Sequence, residues 1–269
     1  MSIDTSSRCP SDEFVNDSVR ATQYVASYEH VSVLSSKEPY WDGWLLLIPN
    51  EITEKIEDIP DTVLLEMFSV VHALHELFVR KDEYYEGFMF FGNRGLGAGQ
   101  QVPHAHFHFV PRFTNRVGSP FQRQSETLSP EALARHVNVY RSLLPSSIRT
   151  DGVEKPLGIS VQLGEDVEPF MQHGALEVLK HKNANSNYAI HRSGREQDLL
   201  LETPPQQLLG MHACLQEIAK RLENDKAYVG YNLTAELNIR TRKSFPIRII
   251  GRFAHEEISP LRTLPTLFA

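Results

Sequence analysis

A chain of 269 residues with 41% apolar and 23% charged side chains has the composition of an ordinary globular protein, with room for one large domain or two modest ones; collagen-like, fibrous and disordered classes are excluded. A formal charge of −7 argues against binding nucleic acid polymers or anionic membranes, while leaving room for a local basic patch that holds a small phosphorylated ligand. Cys9 and Cys214 show no paired spacing for zinc or a disulfide framework, the N-terminus is polar, and no run of ~20 apolar residues stands out, so a soluble cytoplasmic protein is expected.

In chain order, TQYVASYEHVSVLS (22–35) alternates apolar and polar side chains and predicts a strand pair, and GWLLLIPN (43–50) predicts a more continuous apolar strand ended by Pro49. A long amphipathic helix is expected over 61–81, with Asp61 as its cap, Leu64, Leu65, Phe68, Val71 and Phe78 at helical spacing, and basic residues in its last turn. His72 and His75 share that spacing and read as structural. A strand GFMFFGN (87–93), a loop NRGLGAGQQ and a strand HAHFHFVPR follow.

After a helix over 129–145, the polar stretch SSIRTDGVEKP reads as a linker and divides the chain near residue 150 into domains 1–150 and 151–269. Beyond it come strands around GISVQLG, GALEVLKH and NYAIHRS, a helix within TPPQQLLGMHACLQEIAKRLENDK, and strands YVGYN and SFPIRIIGRF. That repeats the order of the first half. At a constant offset Arg112-Phe113 falls on Arg252-Phe253, while LLEMF faces LLGMH; His104, His106 and His108 then face Ser244, Pro246 and Arg248. One half carries chemistry and the other is expected to be structural. The basic run NIRTRKSFPIRIIGRF (Arg240, Arg242, Lys243, Arg248, Arg252) reads as a charged sheet edge, with a phosphate clamp as its alternative.

The stretch GQQVPHAHFHFVPR (99–112) places three histidines at alternate positions, and on a strand these imidazoles stand in one row on one face. A solvated or core histidine face and a shared metal ion are two readings of such a row. Nucleophilic catalysis is the third and the one adopted: an imidazole attacks phosphorus as the free base while one neighbour orients it and another supplies a proton. The loop GLGAGQQ supplies flexible backbone and the amides of Gln100 and Gln101 for an anion at the mouth of the row. No metal and no cofactor is called for.

On the full motif, including the Gly-Gln before it and the Pro-Arg after it, the chain resembles the histidine triad (HIT) proteins, which hydrolyse or transfer nucleotides. SSKEPYWDGWLLLIPN, the helix over 61–81 and FFGNRG resemble the family's layout upstream of the motif. The resemblance implies an α+β HIT-like fold, an antiparallel sheet with a long helix, as a tandem of one intact and one degenerate half. It implies His106 as the nucleophile that carries the nucleotidyl group, His104 as an orienting residue and His108 at the phosphate or leaving group. It further implies Asn93, Gly99, Gln100, Gln101 and Ser36 around the nucleotide, with Leu34 and Leu46 near the base and ribose.

The implied substrate is a nucleotide or dinucleotide, cleaved by hydrolysis, and the implied assembly is a monomer formed as an intramolecular pseudo-dimer or a homodimer. Trp44 stands where family members commonly have His. The two-half layout is similar to galactose-1-phosphate uridylyltransferase and diadenosine tetraphosphate phosphorylase, which makes nucleotidyl transfer the alternative activity; those enzymes have Gln where this chain keeps His108. A nucleotide-binding protein without turnover is the second alternative.

Overall fold

The computed structural model describes residues 14, 17–39, 42–116, 127–148, 160–163, 166–182, 187–193 and 208–254. Cys9, Trp41 and most of the expected linker lie outside them. Helix α1 (Asp17–Gln23) leads into strands β1 (Tyr24–Ser27), β2 (Val31–Ser35) and β3 (Leu45–Pro49). Helix α2 (Asp61–Lys81), with the bounds expected from sequence, is followed by β4 (Tyr85–Arg94), β5 (Phe107–Phe113) and helix α3 (Pro130–Leu143). The second half has β6 (Ser160–Val161), β7 (Val167–His173), β8 (Leu176–His181), β9 (Asn187–Arg192), helix α4 (Met211–Glu223), β10 (Tyr228–Asn238) and β11 (Lys243–Phe253).

Alternation in the strands decides which side chains meet. Phe88 and Phe90 of β4 and Phe107 and Phe109 of β5 point toward α2, with Phe90 stacked on Phe107 at 4.8 Å and Phe88 on Phe109 at 5.0 Å. Leu64, Phe68 and Leu74 of α2 and Leu215 and Ile218 of α4 close the same core. Met89 and Phe91 point the other way and join Leu34, Trp44, Leu46 and Ile48 in a smaller cluster on the opposite face. Helix α2 is long and apolar enough to cross a membrane by length and composition, and most of it is buried in this core.

One sheet spans both halves in the order β1-β2-β3-β5-β4-β10-β11-β9-β8-β7, with β6 added beside β11. Outward from the antiparallel β4–β10 pair, each half has the same succession. Both copies break register at the same place, with Tyr85 opposite Phe113 and then Gly87 opposite Arg112, and with Tyr228 opposite Phe253 and then Gly230 opposite Arg252. Those glycines take φ +144° and +146°, and a methyl on either would lie 1.9 Å or 2.1 Å from the carbonyl oxygen of Leu237 or Arg94 across the seam. The halves dock by close backbone approach.

The bulges also correct the constant offset. Arg112 and Arg252 are 140 positions apart, whereas Gly87 and Gly230 are 143 apart, because the stretch from Gly230 to Arg252 is three residues shorter than the one from Gly87 to Arg112. His108, opposite Phe91, does correspond to Arg248, opposite Thr234, but a further shift places Phe245 opposite Glu236. Strand β11 is interior rather than an edge: Arg248 stacks on Phe245 at 4.2 Å with Glu236 3.8 Å away, and Arg252 is buried.

Asp61 is not the cap of its own helix. Pro60 holds that position without a side-chain bond, and the Asp61 carboxylate accepts from the backbone N–H groups of Gly210 and His212, both at 3.1 Å, capping α4 of the other half. Glu57 adds a second tie, accepting from Arg94 at 3.0 Å and from the Tyr231 hydroxyl at 2.8 Å. His75, 5% exposed, bonds the Tyr85 hydroxyl at 3.0 Å, as expected of a structural histidine.

Candidate active site

Strand β5 lies between β3 and β4, so His108 has Leu46 on one side and Phe91 on the other. The strand starts only at Phe107, so His104 and His106 precede it and the three histidines do not share one regular strand. Local bonding explains the departure: the Ala105 N–H bonds the Thr53 carbonyl at 2.6 Å, and His106 Nδ1 bonds the His104 carbonyl at 2.8 Å. The rings still gather on one face, with His106 and His108 5.1 Å apart.

Partner chemistry fixes the proton on each ring. A carbonyl only accepts, so His106 carries its proton on Nδ1 and leaves Nε2 as a free lone pair. His104 donates from Nε2 to the Pro49 carbonyl at 3.0 Å, leaving its buried Nδ1 without a hydrogen-bond partner. An indole only donates, so the Trp44 Nε1–H, 2.9 Å from His108 Nδ1, makes that nitrogen an acceptor and puts the His108 proton on Nε2. Phe91 stacks on the His108 ring at 4.3 Å and 10°. His108 is thereby held as a fixed hydrogen-bond donor.

Burial lowers the pKa of all three histidines, opposed at His104 by the bond to Pro49 and at His106 by the bond to the His104 carbonyl; the neighbouring imidazole lowers His106 and His108 further. His106 is then a free base at neutral pH. Replacing Trp44 by Phe removes the donor and should cost about tenfold in kcat/KM, one oriented hydrogen bond. Nitrogen NMR of the His108 ring should show the proton redistributed between its two nitrogens; an unchanged tautomer would contradict this reading.

Histidines held neutral inside the fold also make it acid-sensitive. The folded pKa lies below the unfolded value, so the stabilisation is complete above about pH 6.5 and is lost as pH falls toward the folded pKa. Burial, with His72 nearby, pushes His75 down to about 4. It alone should cost on the order of 3 kcal/mol by pH 4. Denaturant midpoints measured from pH 8 to pH 4 should fall below pH 6.5; a level profile would be inconsistent with these burials.

The remaining expected residues divide. Asn93 lies on the triad's face, its Oδ1 accepting from Asn232 at 2.8 Å. Gly99 has φ +92° beside the Asn93 amide nitrogen. Gln100 braces the loop, accepting from the Gly95 N–H at 2.7 Å and donating to the Glu54 carbonyl at 2.9 Å, whereas Gln101 is exposed. Ser36 sits in the turn after β2, where its hydroxyl accepts from the Glu38 N–H at 3.2 Å. Leu34 and Leu46 pack with Trp44 in the outer cluster. Among the described residues no group of three or more His, Cys, Asp or Glu is placed to hold a metal ion.

Sequence reasoning missed Phe14 and Asn232. The Phe14 ring lies edge-on to His106 at 5.1 Å and to His104 at 6.0 Å, and His106 is only 6% exposed.

The HIT domain model matches residues 18–115, the span that holds β1 to β5, α2 and all three histidines. That span of the chain is similar to a HIT domain. The chain is 33% identical over 85 residues to an uncharacterized HIT-like protein of Methanocaldococcus jannaschii, covering 32% of this chain and 64% of that one. Over another 85 residues it is 32% identical to an adenosine 5′-monophosphoramidase of Candida albicans, covering 30% of this chain and 55% of that one. Matches to the curated relatives span from 32% to 64% of their length. Across both halves the chain is similar in fold to a GalT-like protein of Arabidopsis thaliana, with a TM-score of 0.55 at 12% identity, over 84% of this chain and 75% of that one.

Proposed function

We propose that this protein is a nucleotide hydrolase that cleaves a nucleotidyl phosphoanhydride or phosphoramidate through a covalent nucleotidyl-His106. The observation that carries the reading is the His106 ring itself. Its Nδ1 proton is committed to the His104 carbonyl, and Nε2 is left unprotonated beside a fixed donor, His108. In the first step Nε2 bonds to the α-phosphorus as the bond to the leaving group breaks, and that group departs with the electron pair. His108 Nε2–H and the Asn93 amide donate to phosphate oxygens as charge builds. Water then attacks the phosphorus as the bond to Nε2 breaks with its electron pair returning to His106, and with loss of the water's proton a mononucleotide and free His106 are released. The likeness to an adenosine 5′-monophosphoramidase supports an adenylyl substrate.

Phe14 covers the nucleophile, so substrate must displace its ring to reach Nε2. Phe14→Ala should therefore lower KM several-fold with kcat little changed; a raised KM would mean that Phe14 instead forms part of the nucleotide pocket. The two-half fold, similar to a GalT-like protein, supports a second reading in which phosphate or a sugar phosphate replaces water. Turnover in oxygen-18 water, with and without phosphate, separates them. Label in the mononucleotide, unchanged by phosphate, supports hydrolysis, whereas a nucleoside diphosphate formed only when phosphate is present makes the protein a phosphorylase.

A further inference from the structure

We infer that Asn232, contributed by the half that lacks the histidines, is a positioning residue for the site: it sets which end of the Asn93 amide faces the ligand. The inference rests on the proposed nucleotide chemistry for its consequence and on hydrogen-bond logic for its geometry. Asn232 is 0% exposed on β10, directly opposite Asn93 on β4. Under the 143-residue correspondence set by Gly87 and Gly230, it occupies the place that Met89 holds in the first half. A buried amide stands where the other copy has a thioether.

Its orientation is fixed from both ends. Arg252 only donates, and its Nη1 lies 3.5 Å from the Asn232 Oδ1; the Ala98 carbonyl only accepts, and it lies 2.9 Å from the Asn232 Nδ2. The remaining Nδ2 hydrogen of Asn232 is directed at Asn93, 2.8 Å away, so the atom of Asn93 that meets it must be Oδ1. The Asn93 NH2 group is thus turned away from the seam, toward the glycine-rich loop, where a Cβ on Gly99 would lie 3.7 Å from it. Gly92 pairs with Phe107, so Asn93 is the next residue along β4 on the side of His106. A donor faces the place where phosphate oxygens gather. The same Asn232 amide holds the Ala98 carbonyl and with it the loop.

Asn232→Asp keeps the shape and the acceptor for Arg252 but removes both donors. Asn93 would then turn its own NH2 toward the new carboxylate and present a carbonyl oxygen to the phosphate. With adenosine 5′-phosphoramidate as probe, kcat/KM of the full-length variant should fall by about 10–100-fold, the range for a residue that orients a ligand-contacting group. In an Asn93→Ala background the same substitution should cost almost nothing further, since the group it acts through is gone. Equal losses in both backgrounds would overturn the inference, as would wild-type activity in Asn232→Asp.

An activity-independent arm keeps this distinct from failure of the proposed reaction. In protein labelled with nitrogen-15 asparagine, AMP should shift the Asn93 side-chain NH2 resonance in the wild type and leave it unshifted in Asn232→Asp. That result, in a protein that turns over no nucleotide, would sustain the positioning role while removing the enzymatic reading. No AMP-induced shift in the wild type, or the same shift in both proteins, would sink the positioning role.

Discussion

His106→Ala is expected to reduce turnover by at least about 10⁴-fold, the scale seen when a covalent nucleophile is removed. Neither neighbour can replace the lost nitrogen. His104 is fully buried with Nε2 donated to the Pro49 carbonyl, and His108 is clamped between Phe91 and the Trp44 N–H with its accepting nitrogen already used. The substitution gives up one local bond, to the His104 carbonyl, but keeps the pairing of Phe107 with Leu47 and Gly92, so the variant should remain folded. Steady-state assays with adenosine 5′-phosphoramidate, together with circular dichroism, check both statements. Residual activity of a few per cent in a folded variant would show that the imidazole is not the nucleophile.

Removing residues 151–269 should have the largest effect on folding. The cut strips β10 from β4 and leaves the hydrogen-bonding groups from Gly87 to Arg94 along an open edge in mid-sheet. It also uncovers the part of the apolar core closed by α4, and it takes away the Asp61 and Glu57 partners Gly210, His212 and Tyr231. An unpaired apolar strand over an exposed core predicts aggregation. Size-exclusion chromatography of the 1–150 fragment should show aggregated or insoluble material. A soluble, fully active fragment would mean that the second half is dispensable, and would also remove any role for Asn232.

What the sequence disclosed, it disclosed through periodicity and local motif. Helix α2 was legible to its end residues because a 3.6-residue apolar pattern runs unbroken from Leu64 to Phe78. The core-facing phenylalanines of β4 and β5 and the triad itself were legible for the same kind of reason. Strand β7 was not expected: it is the outermost strand of the second half, mostly exposed, and contains Pro169, so it has no alternating buried face to announce it. The three-residue difference between the Gly87–Arg112 and Gly230–Arg252 stretches hid the 143-residue register of β4 and β10 from a comparison made at one offset.

The parts of the site that sequence could not give are long-range contacts of polar or aromatic side chains. Asn232 reaches Asn93 across 139 positions and Trp44 reaches His108 across 64. Phe14 meets His106 from a separate segment ahead of α1. None of these residues belongs to a repeating pattern, and each finds its role only when the sheet brings its partner close. Asp61 shows the same limit: its position at the start of α2 promised a local cap, but the better-placed unsatisfied N–H groups were those of α4.

The covalent nucleotidyl-His106 can be trapped directly. Wild-type protein quenched in base during turnover of adenosine 5′-phosphoramidate, under conditions that preserve a phosphorus–nitrogen bond, should carry one adenylyl group on the peptide containing His106. Peptide mapping by mass spectrometry should find that adduct at His106, with none in His106→Ala. Turnover with no adduct at any time point, or an adduct on a different residue that persists in His106→Ala, would contradict the account.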